Sequence, residues 1–312
     1  MSPRQLAIAA IVFGSVLLLW GAAALWRRGD ADTGAAPGAV VPPIARSAVD
    51  TVTIARPKDT TVLARRDSTR WTANGHAASG TAVSVLLDAL ADGARRAEPV
   101  AERAASHAGL GVDSASGAKV RVAGAKGVLA DFVVGQRTPD LQAGYVRRAG
   151  DSVVYLVRGP LAEALSRDAD EWRDRSLGGV SPDSVAAIEL VRGRRTTRVT
   201  RDSTRWVLGN GRPADSAAVR GVLEAWRSVD AAGFASKAQA DSARFSPADR
   251  RVRLLRADGS PLLGLALDSM ASGYWAKLDT GATVYRMESW TVDRLMPADS
   301  ALSARARQAA LK

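Results

Sequence analysis

Hydrophobic and polar residues alternate near residue 50, and this alternation predicts a β-strand. The sequence VDTVTI at 49–54 carries the pattern, and residues 60–65 repeat it. Asp-Ser-Thr at 67–69 is typical of a turn, because the Asp side chain can accept hydrogen bonds from the backbone ahead of it. We therefore predict a β-hairpin with RDSTRW at 66–71 as its tip and Trp71 on the packed face.

Past the hairpin, the hydrophobic residues take up helical spacing. Ser79 is placed to cap a helix, and Val83, Leu87 and Leu90 then fall on one face of that helix. A basic, loop-like stretch follows Asp92. Four further strand candidates and a short helix complete the pattern, at residues 119–123, 128–134, 144–148, 152–157 and 161–165.

The same order of features occurs a second time. RDSTRW returns at 201–206, and an identical hexapeptide at this separation is hard to obtain by chance. Asp215 stands in the capping position that Ser79 holds in the first copy. The remaining strands of the second copy are expected at 185–190, 252–255, 262–267, 273–277 and 283–287. The sequence therefore indicates one module written twice.

The N-terminal residues predict a membrane-crossing helix. Residues 6–26 hold no charged residue and would rise about 31 Å as a helix, enough for a bilayer core of about 30 Å. Trp20 and Trp26 lie toward one end, where aromatic rings favour the membrane interface. A cleaved signal peptide, cut near the alanines at 22–24, is the alternative, although the apolar stretch is long for one. We expect an uncleaved anchor; the flanking arginines do not decide its orientation.

Strand candidates outnumber helices in each copy, and hairpins are the main connections. The predicted class is α+β: an N-terminal transmembrane helix followed by two tandem repeats of a mostly antiparallel sheet with one main covering helix. The expected parts are an N-terminal tail and anchor, a Gly/Ala/Pro linker, module one, module two, and a disordered or frayed tail, at residues 1–28, 29–47, 48–177, 178–300 and 301–312.

The charge balance is strongly basic. The chain has 43 Lys and Arg residues against 32 Asp and Glu, a formal net charge of +11. A genome that favours Arg and Ala would produce this excess, and so would selection for an anionic partner such as lipid head groups, cell-wall polymers or nucleic acid. The predicted anchor argues against nucleic acid. Cysteine is absent and only two histidines occur, which removes disulfides and thiolate chemistry and leaves little for histidine-based sites.

The densest basic segment is the candidate binding surface. Arg192, Arg194 and Arg198 would share one face of a strand and could bind phosphate or carboxylate groups of a partner. A solvated strand face is the plainer interpretation. The counterpart at 55–63 is not comparably basic, so the segment is a property of the second module alone.

Other candidate sites have plain structural explanations. The two RDSTRW segments could form a ligand clamp, but a hairpin turn beside a core tryptophan explains them. His107 near Asp113 could suggest acid–base chemistry, but a loop histidine is usually only solvated. The recurring Asp-Ser pairs fall at turns and caps, and no glycine-rich phosphate-binding motif is present. We therefore expect no catalytic residue, no cofactor and no metal site.

The order of features is similar to that of a bacterial family of membrane-anchored proteins, domain-of-unknown-function family 4340. The residues that carry the resemblance are VDTVTI at 49–54, Trp71, the helix with Val83, GLGVD at 109–113, Val134-Gly135, Tyr145, Tyr155 and Trp172. The resemblance covers residues 48–177 well and 181–296 more loosely. In module two, RFSP at 244–247 departs from the family's Gly-Leu-Asp. The resemblance implies a role beside gliding-motility-type ABC transporter systems and implies no catalytic residues.

These observations lead to one expectation and one alternative. We expect a non-catalytic, membrane-anchored envelope accessory or binding protein, not an enzyme, associated with an ABC-type transporter system. The alternative is a binder of anionic envelope polymer or lipid through an Arg-rich surface. The expected location is the cytoplasmic (inner) membrane, crossed once, with the C-terminal modules extracytoplasmic or periplasmic.

Overall fold

The computed structural model describes residues 39–94 and 97–304. The chain divides into two compact units, Met1–Trp172 and Arg173–Lys312, called unit 1 and unit 2 below. The uncharged residues 6–26, for which a transmembrane helix is predicted, lie outside the described residues.

Unit 1 is built on one antiparallel sheet, which has nine strands in the described part of the chain. The strands are β1 (Thr51–Ala55), β2 (Thr60–Arg65), β3 (Trp71–Ala73), β4 (His76–Ala77), β5 (Ala97–Ala101), β6 (Ala118–Gly124), β7 (Gly127–Arg137), β8 (Ala143–Arg148) and β9 (Val154–Arg158). Their order across the sheet is β4-β3-β2-β1-β6-β7-β8-β9-β5. The predicted strand β1 is confirmed, because Val52 and Ile54 point into the core while their neighbours are partly exposed.

Several short elements cover the inner face of this sheet. Helix α1 (Gly80–Asp92) packs Leu86 and Leu90 against the strands, and its predicted cap is confirmed: the Ser79 side chain accepts a hydrogen bond from the Ala82 N–H. A helix of 13 residues is about 20 Å long, whereas nine strands span roughly 38 Å. The rest of the core is therefore covered by other residues: Val40, Val41, Ile44, Leu161 and Ala164 in α3 (Leu161–Ala164), and Trp172. A further short helix, α2 (His107–Leu110), lies between β5 and β6 in the chain.

Unit 2 is built on an eight-stranded antiparallel sheet within its described residues. The strands are β10 (Ala187–Arg192), β11 (Arg195–Asp202), β12 (Arg205–Leu208), β13 (Gly233–Phe234), β14 (Arg250–Leu255), β15 (Pro261–Met270), β16 (Gly273–Leu278) and β17 (Val284–Met287), in the order β12-β11-β10-β14-β15-β16-β17-β13. The helices are α4 (Ser216–Ala225), α5 (Lys237–Ser242), α6 (Ser289–Leu295) and α7 (Asp299–Leu302). Helices α4 and α6 cover the inner face, where the Trp226 indole N–H donates to the Leu295 carbonyl at 3.3 Å.

The two sheets repeat one topology. Each strand of unit 2 has a counterpart at the same place in the order of unit 1, and only β4 lacks one. The predicted caps at equivalent positions are both confirmed, because the Asp215 side chain accepts hydrogen bonds from the N–H groups of Ala217 and Ala218. The prediction of two sheet-based repeats therefore fits the structure in part.

The predicted α+β class, with one main covering helix per repeat, is wrong, whereas the predicted transmembrane helix lies outside the described residues. The described residues form two large antiparallel sheets with few and short helices. None of the helices in the ranges that the structure describes is long and apolar enough to cross a membrane. One strand was missed by the sequence pattern. Residues 97–101 are predicted as loop but form strand β5, because they pair with the distant β9. Residues 40–44, placed in the linker, carry three side chains of the unit 1 core, Val40, Val41 and Ile44.

Candidate functional site

The three arginines of the candidate binding surface do not lie on one strand. Arg192 ends β10, Arg195 begins β11, and Gly193 and Arg194 form the turn between them, with Gly193 at φ +55°. A side chain at φ +55° would be strained, so glycine suits this turn. Arg192 and Arg198 project from opposite faces of the sheet. The shared basic face expected from the sequence is therefore absent.

Arg192 is held inside unit 2. Its Nη1 donates to Asp299 Oδ1 at 2.6 Å, and its Nη2 donates to the carbonyl oxygens of Met296 and Pro297. The side chain is only 23% exposed. These contacts tie β10 to the segment that precedes α7, so Arg192 stabilises the unit and is not available to a partner.

Arg198 belongs to a row of charged residues on the outer face of the unit 2 sheet. On β10, Glu189 lies directly between Arg198 of β11 and Arg253 of β14. Arg198 Nη1 donates to Glu189 Oε1 at 2.6 Å. The next position in the row is Gly264 on β15, opposite Arg253.

Asp279 completes this row from the loop after β16. Its backbone N–H donates to the Gly264 carbonyl at 2.9 Å, which brings its side chain over the glycine. A Cβ atom at Gly264 would overlap the Asp279 carboxylate, so the close approach requires glycine there. Asp279 Oδ1 accepts from Arg251 Nη1 at 2.8 Å, and Oδ2 accepts from Arg253 Nε at 3.4 Å. One carboxylate thus serves two arginines and binds Arg251 more closely.

A cleft of about 500 Å³ opens beside this row, and we call it the unit 2 cleft. Its charged walls are Glu189, Arg198, Arg253 and Asp279, and its apolar walls are Leu177, Leu255, Pro261, Leu262, Leu263 and Leu278. The arginine side chains at 198 and 253 are 48% and 45% exposed. The cleft therefore combines accessible cations with an apolar surface.

Unit 1 has a smaller cleft of about 230 Å³, which overlaps the equivalent part of its sheet at Arg121, Asp131 and Ala149. Strand pairing makes Arg121 on β6 the counterpart of Arg253, and Asp131 on β7 the counterpart of Gly264. Arg121 donates to Asp131 Oδ2 from Nε at 3.0 Å and from Nη2 at 2.6 Å. The Arg121 side chain is only 18% exposed, so this arginine is used within the sheet.

The acidic partner of this arginine lies on strand β7 in unit 1 and in the loop after β16 in unit 2. The Ala149 N–H donates to the Asp131 carbonyl, as the Asp279 N–H donates to the Gly264 carbonyl, so Ala149 is the counterpart of Asp279. Unit 1 therefore has Asp131 and Ala149 where unit 2 has Gly264 and Asp279. The exchange keeps an arginine–carboxylate contact in both units but makes it looser in unit 2.

The RDSTRW segments form hairpin turns, as the sequence predicts. Trp71 is 7% exposed and packs in the unit 1 core, while Trp206 is partly buried against the unit 2 core. In unit 1 the N–H groups of Thr69 and Arg70 donate to Asp67 Oδ1 at 3.0 and 2.8 Å. These backbone hydrogen bonds, that of Thr69 first, hold the pKa of the Asp67 carboxyl well below its usual range. The segment therefore forms a turn, and the Asp67 carboxylate closes it by accepting hydrogen bonds from the backbone.

The remaining candidates also have structural partners. His107 Nε2 lies 2.8 Å from the Ser152 carbonyl oxygen, and Asp113 Oδ1 accepts from the Ser116 N–H at 3.0 Å. The Ser116 hydroxyl, which also donates to this carboxylate, and then the Ser116 N–H lower the pKa of the Asp113 carboxyl. Across 39–94 and 97–304, no group of three or more His, Cys, Asp or Glu side chains is arranged to hold a metal ion.

Sequence reasoning found Arg198 but missed the residues around it, Glu189, Arg253, Gly264 and Asp279. None of them belongs to a local motif. The available signal is in an alignment of the two copies strand by strand. This alignment matches Asp131 with Gly264 and, further along the chain, Ala149 with Asp279.

The fold and the cleft define a duplicated antiparallel-sheet protein with a charged, partly apolar cleft in unit 2. The family model described as domain of unknown function (DUF4340) matches residues 71–249, which is more than half of the chain and includes parts of both units. The chain therefore belongs to this family, as the resemblance implied. Comparison with curated proteins and with solved structures found no match.

Proposed function

We propose that this chain is a non-catalytic accessory protein of the cell envelope that binds another envelope protein, a subunit of an ABC-type transporter system. The observation that carries the proposal is the difference between the two clefts. The duplicated sheet keeps a charged cluster in both units, but Arg198 and Arg253 of unit 2 are exposed beside an apolar wall, whereas Arg121 of unit 1 is largely covered. Exposed arginine next to apolar surface is typical of protein-binding sites.

The charged groups of the unit 2 cleft favour binding over catalysis. The Glu189 and Asp279 carboxylates are each held at short distance by a guanidinium, at 2.6 and 2.8 Å. Carboxylates fixed in this way position neighbouring arginines and can accept N–H groups of a partner. The cleft is thus suited to recognition of a polar and apolar surface.

For the location, we propose the extracytoplasmic side of the cytoplasmic membrane. The support is the uncharged sequence at residues 6–26. Protease added to intact spheroplasts should degrade both units, while a cytoplasmic marker protein survives. Protection of both units until the membrane is opened would place them in the cytoplasm instead.

The net charge of +11 favours a second candidate, binding of an anionic envelope polymer or lipid. Arg192 is half-buried and paired with Asp299, and Arg198 is paired with Glu189, so the basic segment offers less free charge than its sequence suggests. The two candidates differ in salt dependence. Binding through dispersed surface charge weakens steeply between about 0.05 and 0.5 M salt, whereas a partly apolar protein contact is retained.

In-membrane crosslinking tests the proposed function. The full-length chain, with an affinity tag at its C-terminus, is crosslinked in cells, purified under denaturing conditions and analysed by mass spectrometry. We expect enrichment of an ABC-type permease or ATPase subunit over a control strain that carries a tagged, unrelated envelope protein. Recovery of no transporter subunit and no other envelope protein would overturn the proposal.

A further inference from the structure

The two units differ at the row of positions that lines the unit 2 cleft. Unit 2 has Arg198 where unit 1 has Val62, and Glu189 where unit 1 has Thr53. Both replacements are on the outer face, in neighbouring strands. The second unit therefore has an additional cation and an additional carboxylate at one place on the duplicated sheet.

The exchange of the acidic residue frees Arg253. In unit 1 the counterpart Arg121 makes two donor contacts with the Asp131 carboxylate, at 2.6 and 3.0 Å. Within the part of the chain that the structure describes, the one side-chain hydrogen bond of Arg253 is from Nε to Asp279, at 3.4 Å. Both terminal nitrogens of Arg253 are therefore available to a ligand in the cleft.

We propose that the unit 2 cleft binds a peptide segment of the partner protein that carries one acidic side chain flanked by apolar residues, with Arg253 and Arg198 holding the carboxylate. This inference rests on the proposed function and names the chemistry of the contact. A guanidinium presents a planar pair of N–H donors that matches the two oxygens of a carboxylate. The apolar neighbours of the acidic side chain pack against Leu255 and Leu262.

Charge complementarity selects a carboxylate. The cluster contains three arginines, at 198, 251 and 253, and two carboxylates, Glu189 and Asp279, so one positive charge is unmatched. A single carboxylate balances that charge. A phosphate group with two negative charges exceeds it and is repelled by the two carboxylates already present.

The substitution R253Q removes the free guanidinium, and the pair G264D/D279A gives unit 2 the arrangement of unit 1. In the paired variant the new carboxylate at position 264 lies beside Arg253 and accepts from its N–H donors. The donors are then not available to a ligand, so binding is lost although the guanidinium is still present. The matched control is R205Q/R212Q, which changes two exposed arginines of unit 2 away from the cleft. Circular dichroism and thermal unfolding establish that each variant is folded.

The test uses the immobilised full-length chain and a random heptapeptide library displayed on phage. We expect the selected peptides to share one Asp or Glu between apolar residues. A synthetic peptide of the selected sequence should bind about tenfold to hundredfold more weakly to R253Q and to G264D/D279A, as for loss of a charge-assisted hydrogen bond, and with unchanged affinity to R205Q/R212Q. Replacing its acidic residue by the amide should have the same effect as R253Q.

Three results would overturn the inference: no enrichment, selected peptides without an acidic residue, or binding that R253Q leaves unchanged. Arg253-dependent binding of phosphatidylglycerol vesicles, with no peptide binding, would also overturn it and assign the cleft to a lipid head group. If peptide selection fails while the transporter subunit still crosslinks, only the site is wrong. If the cleft selects acidic peptides while no envelope partner is recovered, the proposed function is wrong and the site stands.

Discussion

Arg201 lies over the ring of Trp206, with its guanidinium carbon 5.0 Å from the ring centre, and Arg65 lies over Trp71 in the same way at 4.8 Å. Each arginine is directly opposite its tryptophan in the strand pairing. The backbone contacts agree, since the Arg65 N–H donates to the carbonyl at position 50 and the Arg201 N–H to the carbonyl at position 186. Arg65 is therefore the structural counterpart of Arg201.

In unit 2 the first residue of the hexapeptide, Arg201, pairs with its tryptophan, whereas in unit 1 the first residue is Arg66 and the residue before it, Arg65, makes this pair. The identical hexapeptide is therefore aligned differently with the strands in the two units. In unit 1 the turn uses residues 66–70, closed by hydrogen bonds to the Asp67 side chain. In unit 2, Asp202 is still in β11 opposite Arg205, and Ser203 begins a tighter turn at φ +52°. The segment between the paired arginine and tryptophan is one residue shorter in unit 2, residues 202–205 against 66–70, so the identical residues are not structurally equivalent.

The two tryptophans should differ in their contribution to stability. Trp71 is buried in the core, and truncating a buried tryptophan costs about 3–5 kcal/mol, so W71A should strongly weaken unit 1. Trp206 is only partly buried, so W206A should weaken unit 2 less. Urea unfolding followed by amide hydrogen exchange in β2 and β11 measures each unit separately. Equal losses in the two variants would contradict the difference in burial.

The pH dependence of the first hairpin should depend on Asp67. Backbone N–H donors lower its pKa in the folded state, so the carboxylate stabilises the fold above its unfolded pKa of about 4, and this stabilisation is lost as the pH falls through the lower folded value. The D67N variant keeps an acceptor oxygen but has no charge to lose. We expect the difference in urea midpoint between wild type and D67N to shrink as the pH falls below about 4. A difference that stays constant over this range would show that the charge of Asp67 has no role.

Local signals in the sequence predict local structure well in this chain. The hairpins and the two caps at Ser79 and Asp215 are confirmed because each depends on residues that are neighbours in the sequence. The predicted shared face of Arg192, Arg194 and Arg198 is wrong because it depends on residues that are distant in the sequence. Arg192 reads as a solvated strand residue, but its partner Asp299 is 107 positions away. The unit 2 cleft is likewise formed by strand pairing between distant segments, which no short motif reports.

Arg192 and Arg194 provide a direct comparison of a structural and an exposed arginine. R192A removes a charged contact with Asp299 and leaves two backbone carbonyls without their donor, so we expect a loss of about 1–3 kcal/mol in the free energy of unfolding. Arg194 is exposed in the turn, and R194A should change stability by less than about 0.5 kcal/mol. Chemical denaturation of the two variants beside wild type measures both. A similar small effect for both would show that the Arg192 contacts contribute nothing.

The exchange of acidic residues between the units predicts a non-additive pair of substitutions. D279A alone leaves Arg251 and Arg253 without their carboxylate and should cost about 1 kcal/mol, as expected for a partly exposed charged contact. G264D alone places a side chain where the Asp279 carboxylate already lies, so it should destabilise unit 2 through steric overlap and repulsion. The double variant G264D/D279A removes the overlap and restores a carboxylate beside Arg253, as Asp131 lies beside Arg121. Its stability should therefore exceed that of either single variant, which a double-mutant cycle of urea unfolding measures; additive losses would show that the two positions are independent.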